Sequence, residues 1–340
     1  MTKRILAKHP ENPILTAADF PGAAMYIFNP GVIKFNGEYL MMADVATLAQ
    51  PIFLHMARSK DGVHFKFDEK PLAWPEPDPI HPEDCIYDPR ITKIGEEYFI
   101  VYASSSEGRG VRVGIVKTRD FEKFERVSIA SESGNRNGVL FPRKINGMYC
   151  RLDRPFGNPR DSAGMWLSYS PDGVFWGLSE PVMDPRVGLW DNGKIGAGAV
   201  PIETEHGWLC IYHGTTQTGA GVIYRLGAAM LDLKNPAKVL ARSEDSILWP
   251  EFDYEMFGRV PNVVFSCNAI VEDDGMVRIY YGAADTCVGL AEGHIEDIIE
   301  SCYSKNPYLL RPKGSPYYLG DAPKAAPVRV EQPSAEPASV

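Results

Sequence analysis

The chain has 340 residues, 44% of them hydrophobic, and 44 Asp and Glu against 35 Lys and Arg give a formal charge of −9. That length can bury a large core as one domain or two, and the negative field excludes a surface built to steer in nucleic acid or an anionic membrane. The opening MTKRILAKHPENP has no apolar signal core, and no later stretch approaches the roughly 20 apolar residues of a membrane helix, so a soluble, unexported protein of the cytoplasm is expected.

In chain order, the elements are short alternating or apolar runs rich in Val, Ile, Tyr and Phe, closed by the dipeptides that two-residue hairpins need. Five hairpins follow one another: VIKFNGEYLMM, ITKIGEEYFIVYAS, FPRKINGMYCRL, AVPIETEHGWLCIYHG and AIVEDDGMVRIYYGAAD, with turns near Asn36, Gly95, Asn146, His206 and Asp274. After each of the first four comes a second pair of runs, ARSKDGVHFKF, VGIVKTRDFEKFERV, WLSYSPDGVFWG and GAAMLDLKNPAKVL, while the fifth ends less clearly in VGLAEGHIEDIIES. Two hairpins make four strands. A four-stranded unit repeated five times over residues 12 to 300 predicts an all-β fold, a five-bladed β-propeller in a single domain. A β-sandwich would have strands as short but no reason to repeat them in fours. The propeller domain is expected over residues 1–321, and residues 322–340, rich in Pro, Ala, Ser and Glu, as a flexible tail that buries too little to offset its ordering entropy. The six cysteines lie far apart with no C-x-x-C pair and read as reduced core thiols; the seven histidines show no ligand spacing, so neither metal nor cofactor is expected.

In a propeller the inner strands run along a central channel, so polar groups at their starts meet those of other blades. Those starts read FNPGV (Asn29), YDPRI (Tyr87 and Asp88), NRNGVLFP (Arg136 and Asn137), KIGAGAVP (Lys194) and VPNVVFSCNA (Phe265). The far ends of the hairpins add Arg154 in RLDRP, His213 in YHGT and Asp285 in GAAD. Arg136, Arg154, Lys194 and His213, if left unpaired in one pocket, would repel one another. An anion with several acceptor oxygens is their natural ligand, because Arg forks match tetrahedral oxyanions, and Asn137 and Tyr224 can donate further hydrogen bonds. Pairing with acids is the plainer reading for Arg143 and Lys144 beside their Asn-Gly turn, and Arg151 is expected to pair with Asp153 or stay solvated. Asp88 precedes Pro89, which predicts an extended backbone that fixes its carboxylate at a strand entry. Trp74, Trp166, Trp176 and Trp190 are expected in the blade cores.

FNPGVIKFNGEY, YDPRITKI, NRNGVLFPRKING, the Arg-Pro of RLDRP, KIGAGAVPIET, GWLCIYHG, PNVVF and YYGAADT, in this order over roughly residues 12 to 300, resemble the mannoside phosphorylases of glycoside hydrolase family 130. The resemblance implies a five-bladed propeller acting as a glycosyltransferase, in which inorganic phosphate is the co-substrate that cleaves a β-mannoside with inversion and releases α-mannose 1-phosphate. It implies Asp88 as the catalytic acid, Arg136, Asn137, Arg154, Lys194, His213 and Tyr224 around phosphate, and Asn29, Tyr87, Phe265 and Asp285 around the sugar. It further implies that the acid passes its proton through the 3-hydroxyl of the bound mannose, and that the chain self-associates into a homo-oligomer. One acid suffices, since phosphate is already an anionic nucleophile, whereas inverting hydrolysis needs a second carboxylate to activate water.

The text departs from the family at Met41 to Asp44, where relatives carry an Arg, and after Pro155, where FGNPRDSAGMW has no His. Both stretches, Asp44 included, are expected to shape the sugar subsites and the choice of acceptor. The expected substrates are β-1,4-linked mannosyl-glucose, mannosyl-N-acetylglucosamine or short manno-oligosaccharides. The alternatives are a β-mannoside hydrolase of the same fold and a sugar-binding propeller without catalysis.

Overall fold

The structure, a computed structural model, describes residues 4–48, 51–78, 81–156 and 163–305. The turn-punctuated runs fold into five antiparallel sheets, one for each repeated unit. Blade I is Tyr26–Phe35, Glu38–Ala46, Phe53–Ser59 and Lys66–Phe67. Blade II is Cys85–Ile94, Glu97–Ser106, Gly110–Thr118 and Glu125–Ile129. Blade III is Asn135–Leu140, Tyr149–Pro155, Met165–Ser170 and Gly177–Met183. In blade IV the inner edge is broken into Ile195–Ala197 and Ile202–Thr204, both paired with Gly207–Thr218, followed by Gly221–Leu231 and Val239–Arg242. The Asn36-Gly37 and Asn146-Gly147 turns have φ of 50° and 80°, and 52° and 80°, the mirror-image turn whose twist matches its flanking strands.

Blade V corrects one expectation. It takes three strands from the end of the repeat, Val264–Val271, Met276–Ala283 and Cys287–His294, but its fourth is Ala7–Lys8, paired antiparallel with Glu292 and Ala291. The IEDIIES run does not supply a strand. It forms the helix Ile295–Tyr303, because Ile295, Ile298, Ile299 and Cys302 recur at helical spacing, and Ile298 and Cys302 are buried. Pairing the first segment onto the last sheet closes the ring and covers an edge that would otherwise present unpaired N–H and C=O groups. Asn12 secures the closure: its side chain donates to the Leu290 carbonyl and accepts the Leu290 N–H, both at 2.8 Å.

The core lies between neighbouring blades, sheet face against sheet face. Leu40, Met42, Leu54 and Met56 of blade I interdigitate with Ile91, Ile100 and Val116 of blade II, and Val139, Leu152 and Leu167 of blade III with Ile195, Cys210 and Tyr212 of blade IV. Trp74 packs edge-on against Tyr102, Trp190 stacks on Tyr212, and Trp176 lies under the Arg151 guanidinium, so these three serve the blades; Trp166 is half-buried. Arg143 pairs with Glu203 at 2.6 Å and Arg151 with Asp153 at 2.7 Å. Lys144 instead reaches the Pro171 carbonyl and lies over the Tyr149 ring. All six cysteines are free thiols, five of them buried and Cys85 half-buried.

No helix among the described residues is long and apolar enough to cross a membrane. The boundary expected at residue 321 and the tail 322–340 lie outside the described residues, as do residues 157–162 of the departing stretch after Pro155.

The inner strands of blades I and II approach closely at Gly31, where an added Cβ would meet the Pro89 carbonyl oxygen at 2.5 Å. Backbone cannot yield as a side-chain tip can. Gly31→Ala is therefore expected to lower the unfolding free energy by about 1–3 kcal/mol, measured by urea denaturation. An unchanged midpoint would show that the gap between the blades is wider than this contact requires.

Candidate active site

In blades I, II and III the ladder between the inner strand and its neighbour slips at the same step, between Phe28 and Gly31, Tyr87 and Arg90, and Arg136 and Val139. Inside each slip stands Asn29, Asp88 or Asn137, with φ of 42°, 56° and 55°. Left-handed backbone is costly for most side chains, but Asn and Asp tolerate it, and a bulge re-aims the residue it carries. Asp88 is thus not in the extended conformation that Pro89 predicts; the bulge outweighs the local pre-proline preference. The three side chains meet across the blades. Asn29 Nδ2 donates to Asp88 Oδ1 at 2.8 Å, and Asn137 Nδ2 to Asp88 Oδ2 at 3.4 Å.

The Asp88 backbone is held as well. Its N–H donates to the Asp44 carboxyl at 3.0 and 3.2 Å, and its carbonyl accepts Arg90 Nη1 at 2.9 Å. The other N–H groups of Arg90 reach the Gly198 and Ala197 carbonyls of blade IV at 2.9 and 3.3 Å, while its guanidinium lies over the Phe265 ring of blade V. One buried arginine therefore ties three blades together beneath the acid. Asn268 of blade V does the same for Ile91 of blade II, accepting its N–H and donating to its carbonyl.

Asp88 opens on a cleft of about 400 Å³, whose wall also carries Asn29, Tyr87, Arg136, Asn137, Arg154, Tyr224, Phe265 and Asp285. Three residues expected at the site stand elsewhere. His213 is fully buried behind Arg154, with Nε2 at 3.1 Å from Arg154 Nη1. Burial first, then Arg154, pushes its pKa well below the usual range, so it is a neutral acceptor that steadies Arg154 rather than a further cation. Lys194 is exposed and absent from the cleft wall, beside the Phe156 ring, and partial burial first, then Arg154 and Arg136, lower its pKa. Asp44 is 0% exposed and does not reach the cleft wall, so it cannot shape a sugar subsite by contact; burial first, then Asp88, holds its pKa well above the usual carboxylate range.

Arg136 and Arg154 are direct cross-strand partners, an arrangement in which like charges repel. Arg154 is pushed down to about 10, by burial first and Arg136 second. Among the described residues no carboxylate pairs with Arg136, Arg154 or Lys194, and the Nε of each arginine is buried without a partner. The two guanidinium groups of this wall therefore face one another uncompensated. No group of three or more His, Cys, Asp or Glu among the described residues is placed to hold a metal ion.

Sequence reasoning missed Arg90, Asn268 and Arg259, the last a cleft residue near Asp285. Arg90 did leave a signal: an arginine between Pro89 and Ile91 on an inner strand has no water to face. Arg259 and Asn268 left none.

Asp285 is pushed up to about 7, by burial first and Asp88 second, with Arg259 opposing. A carboxyl whose pKa is higher folded than unfolded, where it lies near 3.9, favours folding most at low pH, and that contribution is lost as pH rises through about 7. Asp285→Asn is accordingly expected to raise Tm relative to the parent more at pH 8 than at pH 5. The same increment at both values would contradict the burial argument.

The family model Glyco_hydro_130, described as beta-1,4-mannooligosaccharide phosphorylase, matches residues 2–304. The chain is 36% identical over 307 residues to a beta-1,4-mannooligosaccharide phosphorylase of Ruminococcus albus, with 88% of this chain and 91% of that one covered. It is 40% identical over 247 residues to a beta-1,2-mannobiose phosphorylase of Listeria innocua, with 73% and 68% covered. The solved structure of a beta-1,2-mannobiose phosphorylase from Listeria innocua, in complex with beta-1,2-mannobiose, superposes with a TM-score of 0.79 at 31% identity over 88% of this chain and 99% of that one. Similarity along nearly the whole described propeller, in sequence and in fold, places the chain in glycoside hydrolase family 130.

Proposed function

We propose that the protein is an inverting mannoside phosphorylase that transfers a β-linked mannosyl group to inorganic phosphate and releases α-mannose 1-phosphate. The single observation that carries this reading is the pair Arg136 and Arg154, set against one another with no carboxylate partner and facing the cleft that holds Asp88. A neutral sugar alone would leave that repulsion in place. A tetrahedral dianion removes it, with Asn137 and Tyr224 as further donors, Lys194 outside the cleft wall and neutral His213 behind Arg154.

In this reading the mannosyl residue lies along Asn29, Tyr87, Phe265 and Asp285, with its anomeric carbon between the cations and the acid. A phosphate oxygen attacks that carbon from the cationic side as the glycosidic bond breaks, and the leaving oxygen receives the proton of the Asp88 carboxyl, directly or through a sugar hydroxyl. Asp88 is left as carboxylate and regains its proton from solvent. The chain's residues contribute mostly position: fixing phosphate under the reacting carbon can supply about 7–11 kcal/mol in favourable cases, and general acid assistance typically about 10²- to 10⁴-fold in rate. Phosphate is co-substrate, and no other cofactor enters the scheme. The step is a glycosyl transfer in chemical terms, although the family is named for hydrolysis.

β-1,4-linked mannosides are the proposed substrates, supported by the description of the family model and by the Ruminococcus albus relative, which the match spans almost completely. The likeness to the Listeria innocua enzyme favours β-1,2 linkages as the second reading.

Incubation with β-1,4-mannobiose and with β-1,2-mannobiose, each with and without phosphate, is read by phosphorus NMR. Mannose 1-phosphate of α configuration should form only with phosphate and faster from the β-1,4 isomer. Equal mannose release without phosphate would make the protein a hydrolase, and a faster β-1,2 reaction would reverse the linkage. Asp88→Asn should remove about 10²-fold or more of the turnover with the Tm little changed. Arg136→Met, which loses its charge-assisted fork, should raise KM for phosphate by about 10-fold or more.

A further inference from the structure

Asp44 sits near the end of the Glu38–Ala46 strand, opposite Phe28 on one side and Leu54 on the other. In such company an apolar residue would do. The chain instead carries a fully buried carboxyl there, and among the described residues no cation hydrogen-bonds to it. A buried, uncompensated carboxyl is a costly choice for packing alone.

Its hydrogen bonds say what it does. The bulge in blade II skips from Tyr87 to Arg90, so the Asp88 N–H loses its partner on the Glu97–Ser106 strand. Both oxygens of Asp44 cross from blade I to accept that N–H, at 3.0 and 3.2 Å. Without them a buried amide would stand unsatisfied and carry its full desolvation penalty. On the far side of the same residue Arg90 holds the carbonyl. The backbone of Asp88 is clamped at its donor and its acceptor by two buried side chains, an acid and a base, and neither is in the cleft wall.

We propose that Asp44 is a positioning residue for the proton donor, fixing the left-handed backbone that aims the Asp88 carboxyl between Asn29 and Asn137. The inference rests on Asp88 being the acid, as set out under the proposed function. A carboxyl suits the task better than an amide, whose NH2 would bring two further donors to be satisfied in a buried site. The charged groups that act on Asp44 are Asp88, Asp285 and Arg90, and none of them replaces its bond to the amide. Phosphate would be held mainly by Arg136 and Arg154 of blade III, neither of which hydrogen-bonds to Asp88 among the described residues, so loosening the acid leaves phosphate affinity alone. Misplacing a reacting group by about 1 Å can cost about 10²-fold in rate.

The test compares Asp44→Val, which keeps no acceptor, and Asp44→Asn, which keeps one, with the parent and with Asp88→Asn under saturating mannoside. Asp44→Val is expected to lose about 10²-fold in kcat, with KM for phosphate unchanged, and Asp44→Asn to recover most of that loss while remaining several-fold below the parent. Thermal unfolding verifies that each variant is folded. If Asp44→Val does not fold, Asp44→Asn decides by itself: a lower kcat at constant KM for phosphate supports the role, and a parental kcat overturns it. A folded Asp44→Val with parental kcat, or with KM for phosphate rising as far as kcat falls, also overturns it. Turnover surviving in Asp88→Asn would remove the acid assignment instead, whereas an inactive Asp88→Asn beside unaffected Asp44 variants would remove only the positioning role.

Discussion

A left-handed residue at the same step of three inner strands brings the cleft together. The bulges at Asn29, Asp88 and Asn137 turn three side chains out of their ladders, and the two amides take one oxygen each of the carboxyl between them. Each bulge is local, yet the contact between them exists only because the blades are arranged around a closed ring. Closure itself depends on Ala7–Lys8 pairing with the last sheet, so the geometry of the acid is tied to a strand from the far end of the chain.

Two sets of like groups meet at the cleft. Asp44, behind the wall, Asp88 and Asp285 influence one another, and so do Arg136, Arg154 and Lys194. Several arginines elsewhere in the molecule are matched with acids: Asp191 takes both Arg186 and Arg242, at 2.8 and 2.6 Å, Arg151 has Asp153, and Arg126 has Glu83. Against that background the unmatched pair in blade III is informative. A chain with excess acidic residues could have neutralised it and does not, which concentrates positive potential in one small cleft while the surface as a whole stays negative.

Arg90 and His213 show how the two sets are supported. Arg90 links the acid's backbone to the broken inner edge of blade IV and lies over Phe265; Phe265 packs against His213, and His213 meets Arg154. This continuous run of contacts joins the acid to the cations beneath the cleft. Its members are buried, and burial makes His213 neutral and lowers the pKa of Arg154.

The number of blades, the places of the hairpin turns and the slots occupied by Asn29 and Asp88 were legible in the sequence, because turn dipeptides and period-two runs are local signals that repeat; in blade III the slot belongs to Asn137, one residue beyond Arg136. Legible too was the setting of Arg143 beside its Asn-Gly turn, apart from Arg136 and Arg154 at strand ends, although its partner Glu203 lies 60 residues away. The left-handed backbone of Asp88 was not legible: Pro89 points the other way, and only pairing with the next strand reveals the slip. Neither was the place of Asp44 behind the acid, the neutrality of His213, the strand that closes blade V or the span of Arg90 across the channel. The sequence by itself determined the repeat and the kinds of side chain carried to the channel, since both are written in neighbouring residues. Only the tertiary structure decided which of them face the cleft and what charge they bear there, because burial and facing charges come from residues tens to hundreds of positions apart.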